Sequence, residues 1–113
     1  MRELLQSKIH KATVTEANLE YIGSITIDED LLDKIDLWEG QKVLVVSNTS
    51  GSRLETYVIK GERGSGKICM NGAAAHLIKT GEEIIIIGFI FSDKPVEPKC
   101  ILVDSSNKFL DYL

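Results

Sequence analysis

The segment spanning residues 21–27 holds the residue pair with the clearest potential for chemistry, Gly23 followed by Ser24. After Gly23, apolar and hydroxyl residues alternate, which predicts a half-buried β-strand that begins at the glycine. Glycine has no Cβ, so its carbonyl carbon can be approached closely and its peptide can adopt dihedral angles that other residues avoid. In a bent backbone, the Ser24 hydroxyl could attack the Gly23 carbonyl through a five-membered ring and exchange the peptide bond for an ester.

An ester on the Cβ of a serine is a leaving group, so elimination and hydrolysis would leave a pyruvoyl group at the new amino terminus. The alternative is an intact peptide, because most Gly-Ser pairs at strand starts are bulges or turn exits. The pair alone leaves both interpretations open.

Residues 5–14 alternate weakly, which predicts a strand with Lys8, His10 and Ala12 on one face. A lysine and a histidine on one face are either a solvated surface or a pair of ligand contacts. The polar residues 15–18 that follow are typical of a turn.

Residues 28–35 have the signature of a short helix, with Asp28 as the amino-terminal cap. Residues 41–47 and 53–60 then predict a hairpin with its turn at residues 48–52.

On an ideal second strand of this hairpin, Arg53 and Tyr57 share one face and Thr56 lies on the other. If Thr56 also contributes to a site, the strand must either be kinked, so that Thr56 reaches the site of Arg53 and Tyr57, or border two different sites.

Residues 71–78 contain a glycine followed by three alanines, so backbone N–H groups at the start of a short helix would be accessible to an anion. The small residues are equally suited to close packing.

The apolar run at residues 84–91 is too short to span a membrane and predicts a strand buried on both faces. Residues 100–103 predict a last strand before a polar tail.

Composition limits the remaining classes of function. The chain has 113 residues, 43% of them apolar and 27% charged, which fits a single folded domain at residues 1–113. A net charge of -4, without any Lys/Arg cluster, argues against a nucleic-acid surface. Cys69 and Cys100 lie far apart and there are only two histidines, so the sequence encodes neither a thiol-ligated zinc site nor a disulfide framework. Free thiols and the lack of a signal-peptide pattern lead us to expect a cytoplasmic protein.

Many short strands, glycine turns and only two short helices predict a compact, mostly β barrel. Four short motifs, in this order, resemble those of the aspartate 1-decarboxylase family: Lys8-Ile9-His10, Tyr21-Ile22-Gly23-Ser24, Arg53-Leu54-Glu55-Thr56-Tyr57 and Asn71-Gly72-Ala73-Ala74-Ala75. The resemblance implies a small double-psi β-barrel with short helices, assembled as a homotetramer with sites between subunits. It also implies pyruvoyl-dependent decarboxylation of L-aspartate to β-alanine for pantothenate synthesis, which agrees with the absence of a metal-binding cluster from the sequence.

The resemblance makes Gly23-Ser24 the self-cleavage point, with Ser24 as the source of the pyruvoyl cofactor and Thr56 and Asn71 as residues that assist processing. The sequence leaves open whether a maturation partner is needed and which subunit supplies each residue.

The resemblance also implies roles in the reaction. Lys8 and Arg53 match contacts to substrate carboxylates, and Tyr57 matches the residue that returns a proton to the product. The other matched residues contribute backbone contacts or flank the site: Gly72, Ala73, Ala74, His10 and Tyr21.

Decarboxylation leaves an electron pair on Cα, and a pyruvoyl ketone that condenses with the substrate amine provides a sink for it. One alternative is a pyruvoyl decarboxylase for histidine or arginine, but a cationic substrate calls for acids where Lys8 and Arg53 stand. Another is a non-catalytic double-psi barrel that serves as a binding module. The departures from the family are Lys11, where many relatives have arginine, a shorter linker at residues 93–99 and an earlier end of the chain.

Overall fold

The computed structural model describes residues 1–113 and consists mainly of β-strands, with two short helices. The elements, in chain order, are β1 (Arg2–Thr13), β2 (Glu16–Asn18), β3 (Ser24–Asp28), α1 (Glu29–Ile35), β4 (Lys42–Ser47), β5 (Arg53–Gly61), β6 (Ile68–Asn71), α2 (Ala74–Leu77), β7 (Glu83–Ser92), β8 (Lys99–Val103) and β9 (Phe109–Tyr112). Neither helix has the length and apolar character needed to cross a membrane.

The strands form one sheet in the order β2-β6-β3-β5-β4-β7-β1-β8-β9. The sheet closes on itself because β1 runs almost directly into β2: β1 pairs with β7, whereas β2 pairs with β6. Two parallel pairings, β3 with β5 and β2 with β6, lie within this ring and distinguish it from an up-and-down barrel. The prediction of a mostly β fold built on a small barrel with short helices is confirmed.

The interior of the barrel is filled largely by isoleucine side chains. Ile25 and Ile27 of β3 point inward and are fully buried, as the alternation at residues 21–27 predicts. They belong to a cluster of 19 buried apolar residues that also includes the inner side of α1. β3 is therefore held by core packing along one face, and its hydroxyl residues lie on the other.

Asp28 fixes the carboxyl end of β3. It caps α1 as predicted, because its Oδ1 accepts a hydrogen bond from the Asp30 N–H at 2.9 Å. The same carboxylate accepts hydrogen bonds from Gly64 N–H at 3.1 Å and Gly66 N–H at 2.8 Å, in the glycine-rich turn that follows β5. One buried side chain thus joins β3, α1 and this turn.

Three local predictions are wrong because strand pairing overrides the local pattern. Residues 15–18 were expected to form a turn but contain β2, which pairs with β6 and closes the barrel. The segment after β8 was expected to be a polar tail, but β9 pairs with β8. Ala12 is buried and not on the face of Lys8 and His10, because Lys11 adopts a left-handed conformation (φ 62°) and a bulge between Ile9 and Ala12 reverses the alternation.

The prediction that residues 84–91 are buried on both faces is also wrong in this chain. Up to Gly88, β7 pairs with both β1 and β4; beyond it, β7 pairs only with residues 2–5 of β1. The two strands therefore project from the barrel as a ribbon, with Phe91 64% exposed. Phe89 and Ile90 on this ribbon are also exposed, because nothing from the same chain covers it.

Candidate active site

Ser24 is the first residue of β3 and lies directly opposite Asn71 at the end of β6. Its side chain is 0% exposed although it does not point toward the core with Ile25. A buried hydroxyl needs hydrogen-bond partners to offset the cost of leaving water. Ser24 Oγ donates to the carbonyl oxygen of Ile22 at 3.0 Å and accepts from Asn71 Nδ2 at 2.9 Å.

Both partners of the Ser24 hydroxyl are neutral amide groups. They orient the oxygen but cannot take its proton at neutral pH, since an amide is not a base in this range. The arrangement therefore holds the serine in a defined position next to the Gly23 peptide, before any reaction.

Gly72 brings the chain after β6 into contact with the peptide that precedes Ser24. It has φ +66°, and a Cβ on it would lie 2.7 Å from the Cα and N atoms of Gly23 and 2.9 Å from the carbonyl oxygen of Tyr21. Gly23 lies in a bend but has no positive φ, and a Cβ there would approach only the Asn71 carbonyl oxygen, at 4.0 Å. The conformation that only glycine adopts readily, which the sequence led us to expect at Gly23, is thus found at Gly72.

A cleft of about 400 Å³ opens on the Gly23 side of this contact. Its lining combines predicted site residues with additional ones: Gly23, Leu54, Glu55, Thr56, Tyr57, Asn71, Ala73, Ala74 and Leu77. Thr56 and Tyr57 both border it although they point to opposite faces of β5, so the two residues do not require separate sites. The alanines contribute little bulk, which leaves room beside Gly23.

No cationic side chain lines this cleft. Lys8 lies on β1 between Ile87 of β7 and Cys100 of β8. Arg53 is exposed at the start of β5, opposite Val46. One chain therefore brings together the residues predicted to process the Gly23-Ser24 bond but not those predicted to bind carboxylates.

The two flanking residues lie elsewhere as well. His10 is on β1 beside Leu102, and its Nδ1 atom is buried without a hydrogen-bond partner. Tyr21 lines a second, smaller cleft of about 240 Å³, which also borders Asn71 and Cys69. Burial raises the pKa of the Cys69 thiol to about 11, and a hydrogen bond to the Glu16 carboxylate adds to the shift, so this thiol is protonated and unreactive at neutral pH.

Sequence reasoning missed four residues at the site. Leu54, Glu55 and Leu77 line the larger cleft, and Glu55 forms an ion pair of 2.8 Å with Lys42. This carboxylate raises the pKa of the Lys42 ammonium, chiefly through the hydrogen bond between them. Thr26 accepts a hydrogen bond from Asn71 Nδ2 at 2.9 Å. The sequence did signal Thr26, because it is the next hydroxyl after Ser24 in the alternating pattern.

Comparison with known proteins gives a consistent result. The family model described as aspartate decarboxylase matches residues 1–110. An aspartate 1-decarboxylase of Acetivibrio thermocellus is 58% identical over 112 residues, covering 96% of this chain and 89% of the relative. Aspartate 1-decarboxylases of Bacillus cereus strain G9842 and Bacillus thuringiensis strain Al Hakam are 52% and 51% identical over 116 residues, covering 99% of this chain and 91% of each relative.

We expect the substitution Gly72→Ala to destabilise the protein by about 3 kcal/mol, because it combines left-handed strain with a collision against backbone atoms. Gly51→Ala is the matched control: Gly51 has φ +78° but nothing lies within 4 Å of a Cβ there, so only the strain of about 1 kcal/mol applies. Urea denaturation of both variants measures the difference. Equal losses of stability in the two variants would contradict the close approach of Gly72 to Gly23.

Proposed function

This chain belongs to the aspartate decarboxylase family, and we propose that it converts L-aspartate to β-alanine and carbon dioxide with a pyruvoyl group made from its own Ser24. The observation that carries the proposal is the buried Ser24 hydroxyl, held by Asn71 beside the Gly23 peptide. Gly23 opens onto a cleft of about 400 Å³, large enough for a small amino acid.

The pyruvoyl group would form in three steps. Ser24 Oγ bonds to the Gly23 carbonyl carbon, the C–N bond breaks, and the serine nitrogen gains the proton that the hydroxyl loses. Loss of the Ser24 Cα proton then forms a double bond between Cα and Cβ and breaks the Cβ–O bond, so the Gly23 carboxylate leaves. A proton finally moves to Cβ to give an imine, water adds to the imine carbon and ammonia leaves, which gives a methyl ketone at residue 24. The products are residues 1–23 and residues 24–113.

Asn71 and Thr56 are the residues that assist this cut. Asn71 keeps the Ser24 oxygen in place through its side-chain amide. Thr56 lines the cleft with Gly23, and its hydroxyl would donate a hydrogen bond to the Gly23 carbonyl oxygen as that oxygen gains charge. Neither group is a base at neutral pH, so water or a maturation partner would carry the proton from the Ser24 hydroxyl to the serine nitrogen.

Residue 24 is a suitable place for a pyruvoyl group, because Ala73 and Ala74 leave space next to Gly23 and the position is shielded from bulk water. When present, the group supplies the electron sink for decarboxylation. Gly72, Ala73 and Ala74 contribute backbone contacts to the substrate.

We further propose that the site is completed by a second copy of the chain within a homotetramer. Lys8 and Arg53 bind the substrate carboxylates, and His10 and Tyr21 flank the site. None of these four residues lines the 400 Å³ cleft of its own chain. The exposed Phe89, Ile90 and Phe91 on the ribbon support self-association, because a projecting apolar surface of this kind is typical of an interface.

The wild-type chain is expected to be cut into residues 1–23 and 24–113, whereas Ser24→Ala stays whole because the nucleophile is gone. Ser105→Ala is the control, since this serine lies in an exposed turn outside the site. Intact mass spectrometry of protein aged in the presence of a cell extract, with a carbonyl-reactive probe, follows the reaction. A wild-type chain that stays whole and free of carbonyl would refute self-cleavage.

Arg53→Ala is expected to be cut normally but to turn over aspartate about 10- to 100-fold more slowly, because a hydrogen bond to a charged group contributes roughly 1.5–3 kcal/mol. Arg53→Lys should recover only part of this loss, since an ammonium cannot form the bidentate contact. Steady-state β-alanine formation by fully cut protein measures the effect. Normal turnover by Arg53→Ala would exclude this residue from substrate binding.

Co-expression of Arg53→Ala with Ser24→Ala tests the shared site. If the two residues act from different subunits, mixed assemblies contain some sites with both wild-type residues and regain activity. No recovery in mixed assemblies would place Arg53 and Ser24 in the same subunit.

Tyr57 lines the cleft and is 40% exposed, so its phenol is available to a substrate next to residue 24. We propose that it returns the proton to Cα after carbon dioxide leaves. Tyr57→Phe keeps the ring and should be cut normally. Its rate of β-alanine formation should fall about 100-fold, which is the lower end of the rate effects typical for loss of a general acid. Tyr112→Phe, which removes a remote phenol bonded to the Lys34 carbonyl oxygen, is the control. If cut Tyr57→Phe retained full activity, the proton would have to come from water.

A further inference from the structure

The side-chain nitrogen of Asn71 donates hydrogen bonds to two hydroxyl groups. Nδ2 lies 2.9 Å from Ser24 Oγ and 2.9 Å from Thr26 Oγ1. A primary amide nitrogen has only two hydrogens, so these two contacts use its full capacity. Ser24 and Thr26 are two residues apart and therefore lie on the same face of β3.

The orientation of this amide matters for the serine. The single hydrogen of the Ser24 hydroxyl is directed to the Ile22 carbonyl oxygen, so Ser24 Oγ can only accept from Asn71. If the amide turned over, Oδ1 would face the serine oxygen, and the Ser24 hydroxyl could bond to it only by turning its hydrogen away from the Ile22 carbonyl oxygen. Ser24 therefore keeps both of its hydrogen bonds only while the Asn71 nitrogen faces β3.

We propose that Thr26 is a positioning residue for self-cleavage, because its hydroxyl accepts the second N–H of Asn71 and so restrains the amide in the position from which it donates to Ser24. This inference rests on the proposed function. Thr26 makes no hydrogen bond to Ser24, so it acts only through the amide.

The methyl group of Thr26 has a separate contact. A Cβ on Gly61 would lie 3.1 Å from Thr26 Cγ2, so the methyl packs closely against the end of β5. Thr26→Val keeps the branched shape and removes only the hydroxyl, whereas Thr26→Ser keeps the hydroxyl and removes the methyl. The pair of variants therefore separates hydrogen bonding from packing.

The experiment measures the rate of self-cleavage by mass spectrometry, well below the unfolding temperature of each variant. We expect Thr26→Val to be cut at least fivefold more slowly than the wild type and Thr26→Ser within twofold of it. Thr26→Ala replaces Thr26→Val if the latter does not fold. Thr49→Val is the matched control and should be cut at the wild-type rate, because the Thr49 hydroxyl accepts one hydrogen bond, from Glu83 N–H, in a turn outside the site.

A second arm asks whether Thr26 acts through Asn71. In an Asn71→Ala background, Thr26→Val should not slow cleavage any further. Equal cleavage rates for the wild type and Thr26→Val, or a further loss in that background, would overturn the inference while leaving the proposed function in place. An uncut wild-type chain would instead overturn the proposed function, and the role of Thr26 with it.

Discussion

The site depends on the register between β3 and β6, which sets Ser24 directly opposite Asn71. A shift by one residue would turn Ser24 into the core and place Ile25 beside Asn71. Two features resist this shift. Ile25 and Ile27 fill the barrel interior, and Asp28 binds three backbone N–H groups at the end of the strand. The position of the Ser24 hydroxyl beside the Gly23 peptide is thus determined by the packing of two isoleucines and by the Asp28 carboxylate four residues away.

The same register brings Gly72 against the backbone at Gly23, since Gly72 follows Asn71 directly. The approach is too close for any side chain, so the bend before β3 and the turn after β6 constrain each other. On the other side of this contact, Ala73 and Ala74 leave the cleft open. Three consecutive small residues therefore have two functions: Gly72 permits the contact with Gly23, and Ala73 and Ala74 leave space in the cleft.

The elements that could be predicted from the sequence are those with local causes. The alternation in β3 and the Asp28 cap follow from neighbouring residues, and both are confirmed. β2 could not be predicted, because its polar residues become a strand only by pairing with β6. Four of the predicted site residues border one cleft: Gly23, Thr56, Tyr57 and Asn71. The hydrogen bond between Asn71 and Thr26 could not be predicted, because it depends on the register between β3 and β6, which no local pattern encodes.

Closure of the barrel by β1 and β2 has a consequence for the fate of a cut chain. Residues 1–23 contain both strands, which are hydrogen-bonded to β6, β7 and β8. Breaking the peptide after Gly23 would not release them, because Ile9 and Ala12 are buried in the core. The product would be a split protein held together without a covalent link. Its refolding would require two fragments to meet, so cutting would add a dependence of thermal stability on protein concentration to the one that subunit assembly brings.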